Sequence, residues 1–446
     1  MKTYLDWSEY TDAGMGDAYA DIPKYGGDFA KAVAVCINSR QCESSGRGVM
    51  CPSFRLDEDS ALSTGARVRL LKAALNGDLG SEAFLQSELV EAMDLCISCK
   101  GCKRECENNV DMSRIKIEYL AQLNASKGLS LRARLFSDLP KLLANYPSLA
   151  RLTSYRNRHQ WFAKLMQRLL GISAKVTLPE PVAYSLHQIT QKADSDKTVV
   201  LFADTFCKHY SPEIVVAAVE VLNAAGNQVR LIGGSGGVAG SSALCCGRTY
   251  LSQGRVDEAR KQAQQLLDVL LPYAEEGVPI IGLEPSCLLT LRDEYSALGL
   301  GNAAKVVASQ SLLFEEYLAK ELTSGKAQLP WRSESSDDES ILVHGHCHQK
   351  AVGAMKSMRK VLKQVPGLRF EMMEVACCGM AGSFGIEAEH AEMAKGMAEQ
   401  ALLPALQQQP DAVVVSNGFS CRHQIDEVSD RKAIHLSQLL RSRLSI

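Results

Sequence analysis

From residue 198 onward, short apolar runs alternate with longer stretches whose apolar residues recur every three or four positions. That is the pattern of strands separated by amphipathic helices. Residues 199–203, 228–232 and 279–283 predict strands, with helices over 212–225 and 257–275. The order then repeats, with strands at 341–343, 370–375 and 412–416 and helices at 352–365 and 387–407. Such alternation predicts a mostly parallel α/β core in each half, with binding loops at the carboxyl ends of the strands.

Upstream the periodicity is helical throughout. Residues 61–75 and 81–93 predict helices, the first with a basic face of Arg67, Arg69 and Lys72. Over residues 126–170, Leu131, Leu135, Phe136 and Leu139 fall at helical spacing, and nine basic residues face a single acid, Asp138. This basic amphipathic region either packs on its own domain or offers a docking surface to an acidic partner or membrane headgroups. Residues 1–30 are polar, glycine-punctuated and without period, which predicts a lead-in arm, and the proline-flanked polar stretch 177–197 predicts a linker. The expected division is therefore 1–30, 31–125, 126–197, 198–330 and 338–446.

A chain of 446 residues is too long for one ordinary core. Its composition is globular, 46% hydrophobic and 22% charged, and its net charge of −2 speaks against nucleic acid as the main partner. No run of 18 apolar residues predicts a membrane span. The first residues show no signal peptide or twin-arginine pair, so the expected compartment is the cytoplasm, with peripheral contact at the inner face of the membrane as an option.

The fifteen cysteines are what turns this outline into chemistry. Seven lie near the N-terminus: Cys36, Cys42, Cys51, Cys96, Cys99, Cys102 and Cys106. The other eight form two copies of one spacing, Cys207, Cys245, Cys246 and Cys287, then Cys347, Cys377, Cys378 and Cys421. Corresponding members are offset by 140, 132, 132 and 134 residues, an internal duplication. In a reducing compartment, cysteines that occur only in groups predict metal or redox chemistry rather than a disulfide framework.

Cys96-x2-Cys99-x2-Cys102-x3-Cys106 has the spacing of a bacterial ferredoxin run, in which three thiolates close around one iron–sulfur cube and the fourth reaches the other. Structural zinc would favour two CxxC knuckles or added histidine. The partner run, Cys36-x5-Cys42-x8-Cys51-Pro52, is degenerate, with Ser39 in the place of a middle cysteine. Crossed ligation would pair Cys51 with Cys96, Cys99 and Cys102, and Cys106 with Cys36 and Cys42, one iron being left to Ser39, solvent or nothing. Alternatively Cys96, Cys99, Cys102 and Cys106 close one cube alone. Spacing leaves both open.

In each later half, two adjacent cysteines on a loop point in different directions, and the glycine after them (Gly247, Gly379) lets the backbone approach and donate N–H to sulfur. These eight cysteines are candidate metal ligands. Of the nearby histidines, most, His344 and His423 among them, are expected in supporting, hydrogen-bonded roles, with mixed cysteine–histidine ligation by His346 or His348 as the alternative. The glycine-rich residues 232–240 lack the acidic partner of a nucleotide fold, which predicts a lead-in to Cys245 and Cys246.

The stretch from Cys36 through Cys51-Pro52-Ser53-Phe54-Arg55 to Cys106 resembles the iron–sulfur portion of FAD-linked D-2-hydroxy-acid dehydrogenases, as in the glycolate oxidase iron–sulfur subunit. It departs from that pattern at Glu107, where proline usually follows. An acid there should lower the cluster's potential. Leu244-Cys245-Cys246-Gly247-Arg248, Ala376-Cys377-Cys378-Gly379-Met380, Glu284-Pro285-Ser286-Cys287 and His346-Cys347-His348-Gln349-Lys350 resemble the cysteine-rich CCG domain of heterodisulfide reductases and anaerobic glycerol-3-phosphate dehydrogenase subunits. The resemblance implies an α plus α/β architecture: a helical, ferredoxin-type two-cluster domain followed by a duplicated α/β CCG domain. It implies one or two [4Fe-4S] clusters, and a further iron–sulfur cluster or zinc in the CCG halves. FAD would lie in a partner dehydrogenase subunit. Electrons from glycolate, D-lactate or D-2-hydroxyglutarate would pass through this chain to a quinone or other carrier. The alternative is a heterodisulfide-reductase-like thiol/disulfide subunit. The final CxxC that such reductases use is missing here.

Overall fold

The computed structural model describes residues 1–446 apart from 18, 44–47, 49, 58, 81, 147, 183–185, 187–196, 234–243, 333–338 and 376. Most of the glycine-rich stretch and much of the expected linker lie outside the described residues. The fold is mixed, helical at the N-terminal end and parallel-sheet beyond.

Among the described residues, eight strands form two sheets: β1 (Thr198–Phe202), β2 (Gln228–Ile232), β3 (Ile280–Gly282), β4 (Ser311–Leu313), β5 (Ser340–Val343), β6 (Arg369–Met372), β7 (Val413–Val415) and β8 (Ala433–Ile434). The sheets run β2-β1-β3-β4 and β6-β5-β7-β8, and every pairing is parallel. The two halves thus share one strand order. Their central strands are covered on both faces, which is why they read as apolar runs rather than alternations. β4 and β8 have three and two residues, too few to show a period, and the sequence pattern does not mark them.

Three expected helices are cut short or broken, the first of them, 81–93, keeping only Ser87–Asp94 after a 3₁₀ turn at Ala83–Leu85. The expected helix 352–365 begins only at Met355, because Gly353 sits at φ +75° and closes the preceding turn. The expected helix 387–407 resolves into Ala391–Met397, one π turn at Ala398–Leu402 and Leu403–Gln408. Pro404 has no N–H to donate backward, and the wider π turn accommodates that gap.

β1 ties the molecule together through the two-residue period of a strand. Val200 and Phe202 join one core with Leu71, Met93 and Ile115 of the N-terminal region. Val199 and Leu201 join a second core with Ile341, Val343 and Leu436 of the second sheet. The N-terminal segment, expected as an arm, is latched down. Glu118, fully buried, accepts hydrogen bonds from the backbone N–H of Leu5 (2.9 Å) and from Trp7 Nε1 (3.2 Å).

Among its described residues, the basic region forms four helices, Leu131–Ser137, Leu139–Asn145, Leu149–Arg158 and Gln160–Leu170. Some of its charges are held against the protein: Arg132 pairs with the exposed Glu389, and buried Arg156 donates to the Val176 carbonyl at 2.6 Å. Its apolar residues do not all follow. Leu152, Tyr155, Trp161, Leu165 and Leu169 remain exposed. Among the described residues, no helix is long and apolar enough to cross a membrane.

Candidate metal centres

All fifteen cysteines are free thiols and most are buried. Burial pushes the thiols of Cys99, Cys102 and Cys207 well above their usual pKa, helped by neighbouring thiols at Cys99 and Cys102 and by Asp204 at Cys207, and the Cys347 thiol is raised first by its hydrogen bond to Cys377 and then by burial. Thiolates at these depths need a compensating positive charge, which a metal supplies.

Cys51, Cys96, Cys99 and Cys102 line one small, partly open pocket, with Thr64, Arg67 and Lys100. Cys51 stands at φ +50°, a strained conformation for a side-chain-bearing residue. Its sulfur lies 2.9 Å from Thr64 Oγ1 and 3.8 Å from Arg67 Nη1. Arg67, expected on a basic outer face, is buried instead, held by the Ala92 carbonyl (2.6 Å) and Ser53 Oγ (3.0 Å). A guanidinium here favours negative charge on the sulfurs. Gly101 N donates to Cys99 Sγ at 3.5 Å.

Cys106 lies apart from this group. It and Cys42 are the cysteines whose charge bears on Cys36. Gly65 N donates to Cys42 Sγ at 3.3 Å. The loop Cys36–Cys42 also repeats the backbone of Cys96–Cys102. The second and fourth residues after each first cysteine are left-handed, Asn38 (φ +60°) and Arg40 (+59°) in one, Ser98 (+51°) and Lys100 (+62°) in the other. Ser39 therefore holds the structural place of Cys99, and it is exposed.

The later cysteines gather in two groups, one at the carboxyl ends of each sheet. In the first, Cys207 lies in helix Thr205–Tyr210, capped by Asp204, whose Oδ1 accepts from the N–H of Phe206 (2.9 Å) and Cys207 (3.1 Å). Gly247 N donates to Cys245 Sγ at 3.5 Å, and Cys246 hydrogen-bonds Cys287. In the second, Cys347 and Cys377 have their sulfurs 3.3 Å apart, and Cys378 and Cys421 3.7 Å apart. Gly379 N donates to Cys377 Sγ at 3.3 Å. Only glycine fits at 379: φ is +90°, and a Cβ would meet the Ala394 carbonyl oxygen at 2.1 Å.

The histidines depart from expectation. His346 caps helix Cys347–Ala351, accepting from the N–H of His348 at 3.1 Å. His348 reaches the Ser98 carbonyl with Nε2 at 3.1 Å. His344, expected to be hydrogen-bonded, has no partner at either ring nitrogen although it is 1% exposed. It lies with Cys378 and Cys421 so that the three ligand atoms fall within 4.8 Å of one another. Burial holds its pKa well below the usual histidine value.

The groups adjoin. The charge of Cys347 bears on Cys99, so the second sheet's cysteines border the first N-terminal group. On the other side, Lys100, 3% exposed, pairs with Asp293 (2.6 Å) and Glu294 (2.9 Å). Glu294 also holds Arg248, beside Cys246 and Gly247, and Tyr295 donates to the Cys246 carbonyl at 3.0 Å. Sequence reasoning missed this ionic cluster, because its members are nearly 200 positions apart and carry no motif. It also missed Asp204, although Asp204 and His344 each stand three residues before the first cysteine of their half.

Residues 35–111 match the family described as a 4Fe-4S dicluster domain, and residues 341–426 the family described as a cysteine-rich domain. The chain is 27% identical over 377 residues to D-2-hydroxyglutarate dehydrogenase of Escherichia coli (strain K12), covering 79% of this chain and 34% of that protein. The enzyme of that name from Pantoea ananatis is 25% identical over 86% of this chain and 37% of its own length. An anaerobic glycerol-3-phosphate dehydrogenase subunit of Escherichia coli (strain K12) is 26% identical over 63% of this chain and 69% of its length. The chain thus spans about a third of the D-2-hydroxyglutarate dehydrogenases it matches. With its grouped, buried thiols, it is an iron–sulfur protein carrying a 4Fe-4S dicluster domain and a cysteine-rich domain.

Proposed function

We propose that this chain is the electron-transfer component of a flavin-dependent 2-hydroxy-acid dehydrogenase. Oxidation of the acid to its 2-oxo form would take place at FAD in a partner. The substrate class is glycolate, D-lactate or D-2-hydroxyglutarate, and the acceptor is a quinone or another carrier. An iron–sulfur cube accepts and releases single electrons, the chemistry needed to empty a two-electron flavin stepwise.

In this reading Cys51, Cys96, Cys99 and Cys102 hold one [4Fe-4S] cluster. Cys36, Cys42 and Cys106 hold a second, with its fourth position at Ser39 or solvent. The gathering of Cys51 with the ferredoxin run, against Cys106 with the degenerate run, is the observation that carries it. Arg67 and Thr64 set the charge and hydrogen bonding at the first site, and the loop N–H groups orient the sulfurs. The domain limits that follow are 31–125 for the dicluster part and 198–330 and 338–446 for two cysteine-rich halves. The common strand order and cysteine register support a duplication. Thiol/disulfide chemistry at Cys347 and Cys377 is the lesser reading. Both sulfurs are buried, at 8% and 3% residue exposure, away from any bulky disulfide.

The test is anaerobic purification of the native complex, followed by iron and sulfide analysis and electron paramagnetic resonance on addition of each hydroxy acid. Reduced-cluster signals should appear with one of them. Cys51→Ala should remove the signal of one cluster and Cys106→Ala that of the other. Absence of iron and acid-labile sulfide would end the proposal.

A further inference from the structure

We infer that His344 is a metal ligand, and that the centre of the second half is a mixed cysteine–histidine site in which His344 joins Cys378 and Cys421. The inference builds on the metal-binding reading of the later cysteines and changes its donor set.

The physical argument starts from an unsatisfied polar group. An imidazole buried to 1% exposure carries two ring nitrogens, each of which ordinarily finds a partner, since burying a polar group without one costs on the order of 1–3 kcal/mol. His344 has none at Nδ1 or Nε2. Its place in the fold is set by the backbone: it directly follows β5 (Ser340–Val343), and its N–H donates to the Val415 carbonyl at 2.8 Å. The two thiols facing it come from different elements, Cys378 from the loop after β6 and Cys421 from helix Phe419–Val428. Three donors, one nitrogen and two sulfurs, converge within 4.8 Å from three chain segments. Cys377 adjoins Cys378 and offers a fourth.

Such a set suits a soft or borderline divalent ion, iron or zinc, and not magnesium or calcium. A hydrogen-bonding role would require an acceptor or donor at one of the nitrogens, and among the described residues His344 has neither. The first half shows the same position used differently. Asp204, also three residues before its first cysteine, caps a helix with Oδ1 and leaves Oδ2 buried without a partner. The two halves therefore present different donors, N in one and O in the other, and are expected to differ in metal affinity.

The test is metal analysis of the full-length, anaerobically purified protein for iron and zinc, with X-ray absorption at whichever metal is present and 15N-histidine pulsed resonance if it is paramagnetic. Wild type should show a nitrogen ligand at the second-half metal. His344→Ala should lose that metal while the N-terminal iron and its resonance signal stay unchanged. His344→Cys should retain the metal without the nitrogen, which separates ligation from a packing defect. The inference is overturned if His344→Ala keeps its full metal complement, if only sulfur ligands are seen, or if wild type holds no metal beyond the N-terminal clusters. Loss of the N-terminal iron alone would sink the proposed electron transfer and leave this assignment intact.

Discussion

At the scale of single residues, Ser39 is the informative position. The loop around it already has the backbone that brings Cys99 into the pocket with Cys51, Cys96 and Cys102, with matching left-handed residues on either side. A thiol placed there needs no rearrangement, and the exposed serine leaves room for it. Ser39→Cys should therefore raise the iron and sulfide content of the second cluster, or sharpen its resonance if the iron count is already complete. Iron analysis against wild type checks this, and a fall in iron would contradict the structural match. His344 teaches the opposite lesson about reading residues. In sequence it is one of three alternating histidines, and alternation alone cannot say which ring meets sulfur. Helix capping takes His346 and the Ser98 carbonyl takes His348, leaving His344 at the thiols.

At the scale of elements, His390 joins two helices across the N-terminal region and the second sheet. It follows the 3₁₀ turn Phe384–Ile386 and precedes helix Ala391–Met397, with its ring stacked 4.3 Å from Phe384. Nε2 bonds Asp94, the last residue of helix Ser87–Asp94, at 2.9 Å, and Nδ1 bonds Glu387 at 3.0 Å. Burial opposes the charge, but hydrogen bonds and attraction from Asp94 and Glu387 prevail and lift the pKa to about 9. A pKa raised on folding stabilises fully below the unfolded value near 6.5, and the contribution is lost as pH climbs through 9. Half-exposed Asp94 weakens the effect, to about 1–2 kcal/mol. Thermal unfolding between pH 6.5 and 9.5 should show falling stability in wild type, and a flatter profile in His390→Gln.

At the scale of the whole molecule, the basic helices present an uncovered surface. Trp161 and Leu169 are 60% and 69% exposed, and Lys164 and Arg168 lie on the same helix, Gln160–Leu170. A globular chain seldom leaves such an apolar patch bare unless something covers it. Relatives about three times as long as the match carry a further portion that could supply that cover. On the proposed function, Trp161→Glu with Leu165→Glu should abolish co-purification of the proposed flavoprotein partner while leaving iron content and the reduced-cluster signal unchanged. If co-purification survives but vesicle binding is lost, the face belongs to a membrane instead.

How much was legible differs by level. The eight cysteines of the later halves, the ferredoxin spacing and most of the strand–helix alternation are written in local periods and short spacings, which a chain carries whether or not it is folded. Strands of two or three residues and the interrupted helix over 391–408 fall below the length at which a period can be seen. What only the tertiary structure decided is which distant groups meet. Crossed placement of Cys51 and Cys106, the inward turn of Arg67, the Lys100–Asp293–Glu294 cluster and the His344–Cys378–Cys421 triangle all join segments far apart in the chain. Such meetings depend on how helices and sheets pack around a shared core, and packing is a property of the whole chain that no single stretch of sequence encodes.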